Sequence, residues 1–341
     1  MLDTVIKTLT RTAVAGAFAL TLPLAAQAKE LRFVHSYPTA AQHHQNATWF
    51  ADEVTKRTDG SVTFRIFPSA QLMPINQELP AIASGQVSMT YSVAPIAASV
   101  EPLWGIMDLP FLFAVTPDNT SVGREFFKSE KGGDILASAM EDRGFKLISI
   151  APTDYPSSFY LTTPKVIESI EHLKGLKIRA PGGKIAQLAA ETYGYSAIAI
   201  AGAELVPALT QGVVDGGILP PIYALDNKLP LKGLTIMPYS WAGTTPIVMS
   251  LAEFNALTPE EQDVMMEVGA ELRDRALDIV EERTQQSIDE LKAAGAEVLI
   301  PDAAALAPWV EAARPIWDAF VAENGEQARI MVEEAKALSG L

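Results

Sequence analysis

The sequence contains no cysteine. Disulfides, thiolate-bound zinc, iron–sulfur clusters, cysteine nucleophiles and a lipid anchor on an amino-terminal cysteine are all excluded. Histidine is scarce too, with His35, His43, His44 and His172 the whole complement. His43 and His44 are adjacent, and adjacent side chains on a helix point about 100° apart, so they do not easily share a metal ion. They suit ligand-facing or solvated polar roles better. No G-x-S-x-G, H-E-x-x-H or G-x-G-x-x-G motif occurs, and Gly183-Lys184 fails as a phosphate loop because Ile178 stands where its first glycine belongs. No pair of carboxylates stands out as a general acid and base. Cations are outnumbered, 26 Lys and Arg against 41 Asp and Glu, giving a net charge of -15. Such a surface repels polyphosphate, so no nucleic-acid partner is expected.

Long apolar runs are missing as well. Beyond the amino terminus no segment offers about 18 uninterrupted apolar residues, so no membrane-spanning helix is expected. The amino terminus itself reads as an address. Lys7 and Arg11 precede the apolar stretch Ala13 to Leu24, and Ala26-Gln27-Ala28 follows with small residues suited to cleavage. This is the pattern of a signal peptide, residues 1–28, cleaved after Ala28, and it implies export to the periplasm. A membrane anchor is the competing reading, for which the apolar stretch is short.

What is present is 341 residues of which 48% are hydrophobic, enough for about two domains with sizeable cores. Strand-like and helix-like stretches alternate. Leu31 to His35, Val62 to Phe67 and Val87 to Val93 read as strands, with helices over Gln45 to Arg57 and Glu78 to Ser84 between them. The same grammar returns with strands over Lys174 to Ala180, Ser196 to Ile200 and from Val213 onward, and helices over Lys184 to Thr192 and Glu204 to Gln211. The alternation predicts an α/β fold with mostly parallel sheets. Two segments also correspond residue by residue. Ala81-Ile82-Ala83-Ser84-Gly85-Gln86-Val87 and Ala208-Leu209-Thr210-Gln211-Gly212-Val213-Val214 both read A-[IL]-x-x-G-x-V, a helix end, a left-handed glycine and a strand entry. Two similarly built domains are expected.

A single long helix is predicted after Thr258, which can cap it, with Pro259 at its first position and Glu261 completing a capping box. No strong breaker appears before Gly295. At 1.5 Å per residue it is roughly 50 Å long, more than one small domain, and should run across both or break near Gly269 or Thr284. A coiled coil is the competing reading, but the apolar spacing is not a sustained heptad. A strand over Ala296 to Ile300 and helices over Ala303 to Asn324 and Gln327 to Leu338 complete the chain.

The chemistry concentrates in Leu173-Lys174-Gly175-Leu176-Lys177-Ile178-Arg179-Ala180-Pro181-Gly182-Gly183. Arg179 closes a predicted strand, where open α/β sheets bind ligands. The following glycines open a helix whose free N–H groups face the same crevice. A guanidinium placed there can grip a carboxylate through two parallel hydrogen bonds. A second block, Ala208 to Gly216, carries Asp215 at a turn, where a structural role is expected.

These blocks, with Asp108-Leu109-Pro110-Phe111-Leu112-Phe113, resemble the solute-binding proteins of TRAP (tripartite ATP-independent periplasmic) transporters, the DctP family, in order and spacing over nearly the whole mature chain. The resemblance implies two Rossmann-like α/β domains of the periplasmic binding protein kind, joined by a hinge and spanned by the long helix. On this reading residues 29–155 with 243–283 form the first domain and 156–242 with 284–341 the second. It implies a non-enzymatic, cofactor-free receptor, expected to act as a monomer, that delivers a small organic carboxylate to the transporter's membrane subunits. It places the family's carboxylate-clamping arginine on Arg179. Where many members have a second arginine this chain has Tyr155-Pro156-Ser157-Ser158-Phe159-Tyr160, and Ile218 and Leu219 stand where Glu-Asn is common. The expected ligand is therefore a monocarboxylate with an apolar or aromatic body. Tyr155, Phe159, Trp241 and Trp104 are the candidate walls, and Ser158, Leu219, Ser92 and His43 further candidate contacts. A binding protein for another importer class and a periplasmic enzyme on the same frame are the competing readings.

Overall fold

The computed structural model describes residues 28–113, 120–180, 182–200, 204–241 and 243–341. The segment read as a signal peptide lies outside the described residues up to residue 27, as does Pro181 of the arginine block. Among the described residues no helix is long and apolar enough to cross a membrane.

Alternation builds the first strand. In β1 (Lys29–Val34), Leu31 and Phe33 are buried while Glu30 and Arg32 face solvent. It pairs in parallel with β2 (Val62–Phe67) and β3 (Met89–Tyr91), linked by helices α1 (Gln42–Arg57) and α2 (Ile75–Ala83). After α3 (Ala94–Ala98), a 3-10 turn over Pro102–Asp108, α4 (Ser121–Lys128) and α5 (Gly133–Asp142), the chain enters β4 (Phe145–Ile150). It then crosses to a second sheet as β5 (Ser157–Leu161). There β6 (Lys177–Ala180), α6 (Lys184–Tyr193), β7 (Ser196–Ala199), α7 (Leu205–Thr210) and β8 (Gly216–Leu219) repeat the plan of the first lobe. Next come α8 (Pro221–Asp226) and β9 (Gly233–Ser240), and the chain crosses back as β10 (Pro246–Ser250). The remainder is α9 (Leu251–Asn255), α10 (Pro259–Ala293), β11 (Glu297–Leu299) and α11 (Ala303–Ser339), the last broken at Gly325.

The strand orders are β2-β1-β3-β10-β4 and β11-β9-β5-β8-β6-β7. The two lobes mirror one another. Each has three parallel strands in the order second, first, third, followed by one antiparallel strand that arrives from the other lobe: β10 beside β3 and β5 beside β8. The corresponding glycines obey the same rule. Gly85 and Gly212 have φ of 73° and 71°, and Gln86 and Val213 each donate 2.9 Å bonds back to Ala81 and Ala208. Only glycine adopts this left-handed cap without strain.

The capping box is formed: Thr258 Oγ1 accepts from Glu261 N at 3.2 Å, and the Glu261 carboxylate accepts from Thr258 N at 3.0 Å. The 35 residues of α10 extend about 52 Å. Its Met265, Val268 and Leu272 enter the core under the first sheet, and Ile288 and Leu291 that of the second. Between them Thr284 Oγ1 donates to Tyr155 O at 3.2 Å, at the first crossing. α11 also touches both lobes: Trp317 Nε1 donates to Pro110 O at 2.8 Å, and Trp309 O accepts from Tyr193 OH at 3.1 Å.

Close approach of α10 to β4 depends on Gly269. A Cβ there would lie 2.2 Å from Ile148 O, and Ser149 Oγ donates to Gly269 O at 2.6 Å. Gly269→Ala gains about 1 kcal/mol of helix propensity but drives a methyl group into backbone. Overpacking of about 1–3 kcal/mol or more should win. Denaturant unfolding should show a less stable protein, and a more stable one would contradict this packing.

Candidate functional site

A cavity of about 350 Å³ lies between the two sheets. Its second-lobe wall is the carboxyl end of β6 and β8, with Arg179, Ala180, Ile218 and Leu219. Its first-lobe wall includes Tyr37, His43, Val93 and Asp108, and its floor is the pair of crossings, with Thr153, Asp154 and Gly243.

Arg179 is positioned by its strand. β6 is held between β7 and β8, with Arg179 level with Ile198 and Gly217. The side chain is half-buried, and its Nε donates to Ile200 O at 3.0 Å. That bond fixes the plane of the guanidinium and leaves its terminal nitrogens free of any ion pair to a described carboxylate. Burial pulls its pKa down, but an arginine starts so high that it stays charged. Gly182 and Gly183, both at φ 101°, turn the chain into α6 beside it.

Among the described residues lining the cavity Arg179 is the only cation. His43 is stacked on Tyr37 at 3.4 Å between ring centroids, and its Nε2 lies 2.8 Å from Thr153 Oγ1. Burial, reinforced by His35, holds it well below the ordinary imidazole range, so it is neutral. His44 points elsewhere: its Nδ1 lies 3.1 Å from His35 Nε2. Because the Tyr37 N–H donates to His35 Nδ1, the His35 proton sits on Nε2 and is given to His44. No group of three or more His, Asp or Glu suited to a metal occurs among the described residues.

The cavity also holds two unusual carboxyls. Burial pushes Asp108 up to about 7. Asp154 is driven well above the ordinary range by burial first and by Asp226 second, against the opposing pull of Arg283 and the Tyr223 backbone N–H. Asp154 Oδ1 is buried and has no hydrogen-bond partner among the described residues.

Of the residues singled out from sequence, Arg179, Leu219 and His43 line the cavity. Tyr155, Ser158, Phe159, Trp241, Ser92 and Trp104 sit instead in the packed interior, at most 1% exposed, outside the cavity wall. For Ser158 and Phe159 the reason is the position of β5, sandwiched between β8 and β9 and buried at every residue. Phe159 backs the wall rather than forming it, edge-on to Tyr239 at 4.9 Å. Ser158 Oγ donates to Met237 O at 2.9 Å within the sheet. Tyr155 and Trp241 pack on each other edge to face at 5.9 Å. Sequence reasoning missed Tyr37, Asp108, Asp154, Tyr195, Tyr223 and Tyr239, all of which line the cavity. Asp108 opens one of the blocks already singled out, and Asp154 is a lone acid between two apolar runs. Both were visible as charges in places a core should not hold them.

The raised Asp108 has a consequence for stability. The unfolded chain loses this proton near pH 4 and the folded one near 7. Between those values the folded state binds more protons, so stability falls as pH rises through the window. Asp108→Asn removes that loss. Its melting temperature relative to the native chain should gain more at pH 8 than at pH 4, and an equal change at both would refute the assignment.

The fold and site find close parallels. The model of a family described as bacterial extracellular solute-binding protein, family 7, matches residues 33–324. The chain is 26% identical over 340 residues to the C4-dicarboxylate-binding periplasmic protein DctP of Rhodobacter capsulatus, covering 95% of this chain and 96% of that one. It is 26% identical over 274 residues to the 2,3-diketo-L-gulonate-binding periplasmic protein YiaO of Escherichia coli K12, with 80% and 81% covered. The crystal structure of a TRAP periplasmic solute binding protein from Desulfovibrio salexigens with bound orotic acid superposes with a TM-score of 0.79 at 27% identity, covering 91% of this chain and 98% of that one. A TRAP periplasmic solute binding protein from Ochrobactrum anthropi gives a TM-score of 0.84 at 23% identity, with 92% and 97% covered. Two lobes, two crossings and a cleft at the strand ends are thus the frame of a transport receptor rather than an enzyme, and this chain belongs to extracellular solute-binding protein family 7, the receptors of TRAP transporters.

Proposed function

We propose that the receptor captures a monocarboxylate with an apolar or aromatic body, its carboxylate on Arg179, and delivers it as a closed monomer to the membrane subunits of its transporter after export and cleavage behind Ala28. The observation that carries this reading is the half-buried Arg179 guanidinium in a cavity with no other cation among the described lining residues. A charge taken from water without a partner costs several kcal/mol, and a ligand carboxylate restores the missing partner with two charge-assisted bonds.

The rest of the cavity supports the apolar body. Val93, Pro95, Ala180, Ile218 and Leu219 contribute hydrocarbon, and Tyr195 and Tyr239 contribute rings whose hydroxyls are already 3.2 Å from each other. Related proteins hold orotic acid, β-D-galacturonate or galactonate. A polyhydroxylated acid would need a partner for every hydroxyl it buries, and each buried polar group left unpaired costs about 1–3 kcal/mol.

Binding is coupled to closure. The lobe comprising residues 29–155 and 243–283 swings over a ligand already held on the second lobe, bending at the two crossings. The closed form excludes water and strengthens the charged contact. Only contacts made in the closed state shift the balance toward it.

Arg179→Ala should weaken binding of the tightest acid found in a thermal-shift screen by about 2–5 kcal/mol, the usual effect of removing one partner of a buried charge pair, and leave the unliganded protein folded, with a melting temperature no lower than that of the native chain. Unaltered affinity in calorimetry would defeat the assignment, and a screen in which dicarboxylates or sugar acids bind best would defeat the ligand class.

A further inference from the structure

Asp154 lies in the first crossing and forms part of the cavity floor. The second crossing presses against it: a Cβ on Gly243 would fall 2.4 Å from Asp154 O and 3.1 Å from Asp154 Cβ. The carboxyl makes no ion pair with Arg179, although both line the same cavity. The charged groups that face it are Asp226 of α8 and Arg283 of α10, and these already pair with each other at 3.0 Å. The phenols of Tyr37, Tyr160 and Tyr223 complete its surroundings. Tyr37 also lines the cavity and, like Asp154 Oδ1, its hydroxyl is buried without a hydrogen-bond partner among the described residues. Asp108 adds a second carboxyl to the wall.

The polar groups of the cavity thus include one guanidinium, two carboxyls and a phenol without a hydrogen-bond partner among the described residues, besides the hydroxyls of Thr153, Ser157, Tyr223 and Ser240. We propose that Asp154 sets the ligand class: the receptor takes a monoanion whose body carries one neutral hydrogen-bonding group, such as an amide, hydroxyl or carbonyl, that reaches the Asp154 carboxyl, and it rejects dicarboxylates. This rests on Arg179 as the carboxylate anchor.

The physics is a matter of partners. An amide or hydroxyl donates to an ionised Asp154, and a carbonyl accepts from a protonated one, so a neutral group is satisfied in either state. A second ligand carboxylate would instead be desolvated beside two acids with no cation left to meet it. It could enter only by sharing one proton with Asp154, because two adjacent carboxylates do not both stay ionised in a buried site. Discrimination then comes from repulsion as much as from attraction.

The test is calorimetry at pH 8 on ligand-free protein with two shape-matched pairs of acids: 4-carbamoylbenzoate against benzene-1,4-dicarboxylate, and glutaramate against glutarate. Within at least one pair the amide acid should bind about a hundredfold or more tightly than its diacid, the scale of an unpaired buried charge. In Asp154→Asn that ratio should fall below about tenfold, because the new amide can donate to the diacid's second carboxylate. Diacids that bind the native protein as tightly as their amide partners in both pairs overturn the proposal, and so does a failure of both amides to bind. The native ratio decides the matter even if the variant does not fold. An amide that binds Arg179→Ala as well as it binds the native chain would instead defeat the anchor on which the proposal stands.

Discussion

A guanidinium half removed from water, with no carboxylate beside it, is costly to maintain, and the architecture around Arg179 is arranged to keep it in that condition. Strand pairing on both sides of β6 fixes its Cα, and the Ile200 carbonyl fixes its Nε. The remaining nitrogens are left toward a cavity that holds no other cation among its described lining. Nearby acids do not quench it. The buried carboxyls that share the cavity stand apart from it, and their own burial favours the protonated form. On the proposed reading, the protein thus keeps an unmet electrostatic demand at a place where a solute can satisfy it.

In the proposed mechanism, satisfying that demand also moves the lobes. Each sheet receives its antiparallel strand from the other lobe, so two crossings join the lobes, and one hydrophobic cluster that includes Trp104, Phe111, Tyr193, Tyr239 and Trp309 packs them together. The crossings are tied together: Ala151 N donates to Thr245 O at 3.0 Å, the Thr245 hydroxyl returns a bond to Ala151 O, and Tyr91 OH donates to the same carbonyl at 2.6 Å. α10 runs behind both lobes and meets the first crossing through Thr284. On the proposed reading the lobes rotate about these crossings. The cavity floor is made of the same residues that would bend, so ligand contacts there act on the hinge itself.

Much of this was legible in the sequence, for reasons that also explain what was not. β1, the parallel strands beside it and α10 announce themselves through alternation, glycine caps and a capping box, all local signals. The two left-handed glycines revealed the duplicated plan because backbone sterics leave few substitutes at such a cap. Arg179 could be placed because a strand end is a position in sequence as well as in space. β4, β5, β9 and β10 escaped detection. They are strands buried on both faces, even β4 at its sheet edge, so the period-two pattern disappears; Ser157–Leu161 is buried throughout and Pro246–Ser250 nearly so. The same loss of pattern misassigned the aromatics. In a strand with no wet face, nothing local separates Phe159, which backs the wall, from Tyr239, which lines it. Asp154 was overlooked because its meaning is tertiary, arising only where the two crossings meet.

The most direct test of the central claim is a crystal structure of the receptor with its tightest-binding organic acid. The account predicts the ligand carboxylate within about 2.7–2.9 Å of two Arg179 nitrogens, enclosed between the two sheets, as charge-assisted bidentate pairing requires. A ligand whose carboxylate is held by other groups, with the Arg179 side chain turned out to solvent, would contradict it.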